Sequence, residues 1–328
     1  MTLALLCSGQ GPQHAGMFAL TGDAPEAAHL FAHATALLDS HDPRALVLTG
    51  PRALLHQNRA GQILCTLQAL AAAAILRDAM PDRMIVAGYS IGELAAWGVA
   101  GRIAMADVLD LADDRAAAMD AATSPGDGML FVRGLTRHAI DGLCARREVA
   151  VAIVNPNDGF VLGGSGASLD VLANEAMTMN ARRVVRLDVA VASHTPLLAS
   201  ASIAFRRRLD RLAEMRAPHA ATRLLSGIDG LPVLSTETGL DKLAAQISQT
   251  VQWADCLEAC IEAGATSFLE LGPGSALSEM VAAAYPGVAT RSIEDFRTID
   301  GARAWLARHE PVLSGRGEAA ADPVSRRP

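Results

Sequence analysis

The first apolar run, LALLC at 3–7, ends abruptly at Ser8-Gly9-Gln10-Gly11-Pro12. That is the pattern of a buried strand entering a glycine loop. Apolar positions then recur at helical spacing over about 24–39, 43–47 and 61–78. MIVAG at 84–88 reads as a second buried strand, and the residues from 91 onward as a helix. A further helix is expected from Asp107 to Ala121, with its leading Asp at the positive end of the helix dipole. Ser124-Pro125-Gly126-Asp127-Gly128 is a linker, and the pattern changes after it. MLFVRGL reads as strand, TRHAIDGLCARR as helix, VAVAIVN and FVLGGS as strands, SLDVLANEAMTM as helix and RRVVRLDVAV as strand. This βαββαβ order predicts a ferredoxin-like subdomain at 127–190. From 195 the helix–strand alternation resumes, with FLELG at 268–272 the clearest late strand. The fold class expected is α/β: a mostly parallel core formed by residues 1–126 and 191–310, interrupted by the subdomain. Residues 311–328 lack periodicity and are expected to form a disordered tail.

Composition narrows the function classes. Of 328 residues, 51% are hydrophobic and 19% charged, which suits a packed domain and excludes general disorder. The net charge of -7 and the scattered arginines argue against a nucleic-acid partner. The five cysteines (Cys7, Cys65, Cys144, Cys256 and Cys260) form no C-x-x-C pair and sit in apolar stretches, as in a reducing compartment. Ile63–Leu76 is apolar but broken by Thr66 and Gln68, and is shorter than the ~20 residues of a membrane span. It reads as a core helix. The N-terminal run is too short for a signal peptide and no basic region precedes it. A cytoplasmic protein without membrane association is expected.

The sharpest chemical signal is Gly88-Tyr89-Ser90-Ile91-Gly92, a G-x-S-x-G sequence between a strand and a helix. The glycines permit a tight turn that lifts the Ser90 hydroxyl to a helix N-terminus, where the Ile91 N–H can stabilise an oxyanion. A serine nucleophile needs a base. Of nine histidines, His194 stands out: it follows VRLDVAVAS, precedes Thr195-Pro196, and lies where the chain returns to the core. The loop at 8–13 could supply a second oxyanion donor or serve only as a turn. Arg115, inside ADVLDLADDRAAAMDAA, reads most simply as a solvated arginine paired with Asp110, Asp113 or Asp114. A buried fork binding a substrate carboxylate is the alternative. A serine esterase or thioesterase using Ser90 and His194 is a competing class; Asp158, Asp170 and Asp188 lie between the two in chain order, but none falls at the end of a core strand. A non-catalytic scaffold is a third possibility.

Taken together, SGQGPQ at 8–13, GYSIGE around Ser90, the Arg115 helix, ASHTPLL at 192–198, QTVQW at 249–253 and LELGPGSAL at 269–277 resemble the malonyl-CoA:acyl-carrier-protein transacylases. The resemblance covers about residues 3–290 and implies an α/β-hydrolase-like core. It implies that Ser90 is the nucleophile and His194 the general acid/base, with Gln10 and Ile91 as backbone oxyanion donors. Arg115 would hold the malonyl carboxylate. Gln246 would orient the histidine through its carbonyl, and Asn155 would line the pocket. The donor implied is malonyl-CoA and the acceptor a carrier-protein prosthetic group, with no permanently bound cofactor or metal. Tyr89 replaces the family's usual His, Ser8 replaces a proline, and 291–309 departs from the fatty-acid enzymes. Those features resemble the epsilon subunit of bacterial malonate decarboxylase, whose acceptor is a dedicated carrier subunit. The small Ser193, before His194, bears on how strictly bulkier acyl groups are excluded.

Overall fold

A computed structural model describes residues 2–212, 215 and 221–309. The expected tail lies outside these residues. The strands are β1 (Thr2–Cys7), β2 (Met84–Gly88), β3 (Asp127–Arg133), β4 (Ala150–Asn155), β5 (Gly159–Ser165), β6 (Arg183–Arg186), β7 (Thr222–Leu224), β8 (Val251–Gln252), β9 (Ala265–Glu270) and β10 (Ala289–Ser292). They form two five-stranded sheets. The first has the order β10-β9-β1-β2-β7 and is parallel throughout. Its strands β1 and β2 are near-continuous apolar runs because both faces are covered. Leu3, Leu5 and Cys7 of β1 face one core; Ala4 and Leu6 face another.

The first core is built around the helix Asn58–Leu76, sixteen of whose residues are buried. Residues 58–79 are long and apolar enough to cross a membrane, yet 89% of the apolar window is buried inside the fold. The second core lies between the two sheets, where Met129, Ala152, Ile153 and Val161 meet Leu6, Ile85 and Phe268. The second sheet has the order β6-β3-β5-β4-β8, and its outer face packs a third core with the helices Arg137–Ala145 and Gly166–Thr178. The alternation Met129 in, Leu130 out, Val132 out follows the period-2 pleat.

Two details depart from the sequence expectation. The last strand of the 127–190 segment is four residues, not ten: 187–191 leave the sheet on the way to the histidine. The second sheet also gains β8, from beyond residue 190, which pairs parallel to β4 through Ile153↔Val251. The run LDVAV at 187–191 alternates like a strand but does not continue the ladder, and β8, with two residues, is too short for a period to mark.

Candidate active site

The site forms where β1 and β2 end side by side. Their register pairs Cys7 with Gly88, so the loop after β1 and the turn after β2 leave the sheet at one level. Tyr89 N–H donates to the Cys7 carbonyl at 3.0 Å, which fastens the two together. The contact is close because residue 92 has no side chain: a Cβ there would lie 2.1 Å from the Cys7 oxygen. Ser90 sits at φ 56°, ψ -121°, directly before the helix Ile91–Val99. A non-glycine residue there is strained, and the turn is held by its surroundings. Among the described residues, neither Gln10 N–H nor Ile91 N–H donates to a protein acceptor. The Gln10 side chain is tied to the Asn58 carbonyl at 3.1 Å. Behind the loop, the Ser8 hydroxyl donates to Glu270 at 2.7 Å, and the other carboxylate oxygen of Glu270 accepts from Ser278 N–H at 2.8 Å.

His194 reaches Ser90 across the crevice. Its Nε2 lies 2.7 Å from Ser90 Oγ, and its Nδ1 lies 2.6 Å from the Gln246 carbonyl. A carbonyl accepts only, so Nδ1 carries the proton and Nε2 is free to take one from the serine. The ring is 1% exposed. Burial, and then the positive charge of Arg115, push its pKa down to about 3, against a smaller opposing effect of the Gln246 carbonyl. The imidazole is therefore neutral at rest. Its ring resonances in NMR are expected not to titrate between about pH 8 and 5; a midpoint near 6.5 would contradict the burial. Because the folded value lies below the unfolded one, this group stabilises the fold above about pH 6.5, and that contribution is lost as pH falls toward 3.

Arg115 is 1% exposed, and the solvated reading is overturned. The acids considered as its partners pair elsewhere: Asp110 with His33, Asp113 with Arg59 and Asp114 with Arg208. Arg115 Nη1 donates to Gln62 Oε1 at 2.7 Å and Nη2 to Gln246 Oε1 at 3.2 Å. Both acceptors are neutral, and among the described residues no carboxylate lies within ion-pair distance. Burial pushes the pKa down to about 10, with Glu93 opposing, so the guanidinium remains charged.

The pocket residues differ in how they sit. Tyr89 packs edge-on against Trp253, with ring centroids 5.3 Å apart. Asn155, at the end of β4, lies beside the Tyr89 hydroxyl, but neither of its amide atoms has a hydrogen-bond partner. Ser193 is buried next to the histidine. None of the acids of the esterase reading lies at Nδ1: Asp188 pairs with exposed Arg52, and Asp170 with Arg186.

Sequence reasoning gave no role to Glu93 or Gln62. Glu93 is the one charged residue in IGELAAWGV, a helix buried along its whole length, and that was the available signal. Its Oε2 accepts from Gln246 Nε2 at 2.6 Å, and burial pushes its pKa up to about 7.

The chain is similar to known proteins along most of its length. The acyl transferase domain family matches residues 4–297. A malonyl CoA-acyl carrier protein transacylase of Mycobacterium bovis is 30% identical over 302 residues, 91% of this chain and 98% of that protein. A polyketide synthase of Streptomyces halstedii is 32% identical over 295 residues, 85% of this chain but only 5% of that much longer protein. The crystal structure of an acyl-carrier-protein S-malonyltransferase from Burkholderia pseudomallei superposes with a TM-score of 0.85 at 28% identity, covering 93% of this chain and 100% of the other.

Proposed function

The chain belongs to the acyl transferase domain family, and on that premise we propose that it moves malonyl from malonyl-CoA to the prosthetic-group thiol of an acyl carrier protein. The observation that carries this reading is the buried, charged Arg115, which has no carboxylate partner among the described residues and lies one side chain away from the Ser90–His194 pair. A substrate that brings its own carboxylate would complete it.

In the forward half-reaction, neutral His194 takes the Ser90 proton as the hydroxyl attacks the thioester carbonyl. The oxyanion lies between the N–H groups of Gln10 and Ile91. His194 then gives its proton to the departing CoA thiolate, leaving a malonyl–Ser90 ester. The carrier thiol attacks that ester with the same groups, regenerating the serine. This is ping-pong acyl transfer. Removing one oxyanion donor typically costs ~10²–10³ in kcat. The malonyl carboxylate on Arg115 offsets the charge that depresses His194, so binding the correct substrate raises the basicity of the base it needs. Malonyl-CoA and the carrier's prosthetic group supply the rest of the chemistry. Asn155, Tyr89 and Ser193 line the acyl end.

Tyr89, Ser8 and residues 291–309 suggested the epsilon subunit of malonate decarboxylase. The end-to-end similarity to malonyl CoA-acyl carrier protein transacylases favours the transacylase instead. Ser8 and Tyr89 also have structural occupations, on Glu270 and Trp253, that are independent of the acceptor. The β6-β3-β5-β4 order supports reading 127–190 as a ferredoxin-like subdomain on an α/β-hydrolase-like core of 1–126 and 191–310. A cytoplasmic location suits soluble donor and carrier partners.

Intact-mass spectrometry after brief mixing with malonyl-CoA tests the function. A malonyl adduct that transfers to an added pantetheinylated carrier protein is expected. Steady CoA release without an adduct would instead mark a thioesterase.

A further inference from the structure

We propose that Glu93 is a positioning residue that acts through the side chain of Gln246 to aim the Arg115 guanidinium at the acyl carboxylate. The inference rests on the malonyl-transfer reading above. Glu93 is 1% exposed, and a buried carboxylate is costly unless its surroundings satisfy it. Here they are donors. Gln246 Nε2 is 2.6 Å from Oε2, and the Gly227 N–H and the Ser226 hydroxyl lie nearby, although Oε1 has no full hydrogen bond. Residue 227 admits this approach only without a side chain, since a Cβ there would meet Oε2 at 2.6 Å.

The consequence falls on the Gln246 amide. Its two ends have nearly the same shape, so only hydrogen bonding fixes which way it points. The nitrogen donates to Glu93 and, at 3.0 Å, to the Ser90 carbonyl. With Glu93 ionised, above about pH 7, both partners only accept, so the amide cannot reverse without setting oxygen against oxygen. Its own oxygen is thereby turned toward Arg115 Nη2 at 3.2 Å. Gln62 holds Nη1 from the other side at 2.7 Å. Two of the five guanidinium N–H groups are thus spent on neutral oxygens, and the fork keeps a fixed direction with donors to spare for a ligand. If the Gln246 amide turned over, its NH₂ would face another donor and Arg115 would swing away.

Two roles for Glu93 predict opposite signs. As a mere competing anion near Arg115, it would weaken malonyl binding, and removing its charge would favour malonyl over acetyl. As a positioning residue, its removal should lower that preference. The test is the ratio of Ser90 loading rates from malonyl-CoA and acetyl-CoA at about pH 8, with melting temperature as a check on folding. Glu93→Gln should lower the ratio about 10–100-fold, the equivalent of one misaligned hydrogen bond to a charged group. Glu93→Asp keeps the charge but withdraws the acceptor, and should lower it too. A ratio that rises in Glu93→Gln, stays constant while both rates fall, or is untouched in Glu93→Asp would overturn the proposal. Wild-type malonyl loading reports on the assigned reaction and the variant ratios report on Glu93, so the two readings fail separately.

Discussion

Replacing Ser90 with alanine is expected to leave a folded protein that acquires no malonyl group and whose transfer rate falls by about 10⁴–10⁶. The size follows from covalent catalysis: without the hydroxyl there is no ester, and neither the oxyanion donors nor Arg115 can replace it. The fold should tolerate the change. Ser90 is strained at φ 56°, but among the described residues its hydroxyl hydrogen-bonds only with His194. His194→Ala should cost a comparable factor, because serine and base act as one unit and their losses do not add. The double variant should be no slower than the worse single one. Rate measurements with malonyl-CoA and carrier, together with intact mass, check this. A Ser90→Ala protein that still carried malonyl would overturn the nucleophile assignment.

Arg115→Ala should have the second largest effect, and a selective one. The malonyl carboxylate would enter a buried site with no partner, a loss of about 3–5 kcal/mol, or roughly 10²–10⁴ in malonyl loading. Acetyl-CoA has no carboxylate to strand, so its loading should hold or improve and the substrate preference should invert. Parallel loading assays with the two thioesters decide it. A variant that kept its malonyl preference would show that the carboxylate is held elsewhere. Arg115→Lys should recover only part of the loss, because an ammonium cannot bridge Gln62 and Gln246 while presenting a flat fork to the ligand.

Legibility in the sequence tracked how local the cause was. The Ser90 turn is written in five consecutive residues, and the order of the 127–190 segment is written in alternating periods, so both could be read directly. Strands β7 and β8 have three and two residues. They exist because neighbouring strands offer free edges, which no period records. Arg115 is an instructive failure. Three acids surround it in sequence, yet helical geometry turns each toward a different partner and turns the arginine inward. The residues alone offered burial as the second reading, and only the resemblance to a family favoured it. The Glu93–Gln246–Arg115–Gln62 chain draws on three helices and the end of a fourth, spread from residue 62 to 246, and has no local signature.

The pairing of β1 with β9 also bears on how the molecule comes into being. Leu5 meets Leu269, so the middle strand of the parallel sheet must wait for a partner about 260 residues later in synthesis. At ~5–20 residues per second, a ribosome needs on the order of tens of seconds to cover that distance. Throughout, one edge of β1 and the flank of the apolar helix Asn58–Leu76 await cover. The 127–190 segment can meanwhile collapse on its own four strands, β3 to β6. The nascent chain is thus a small sheet lacking only β8 attached to an unfinished large one, a state in which helper chaperones have the most to shield.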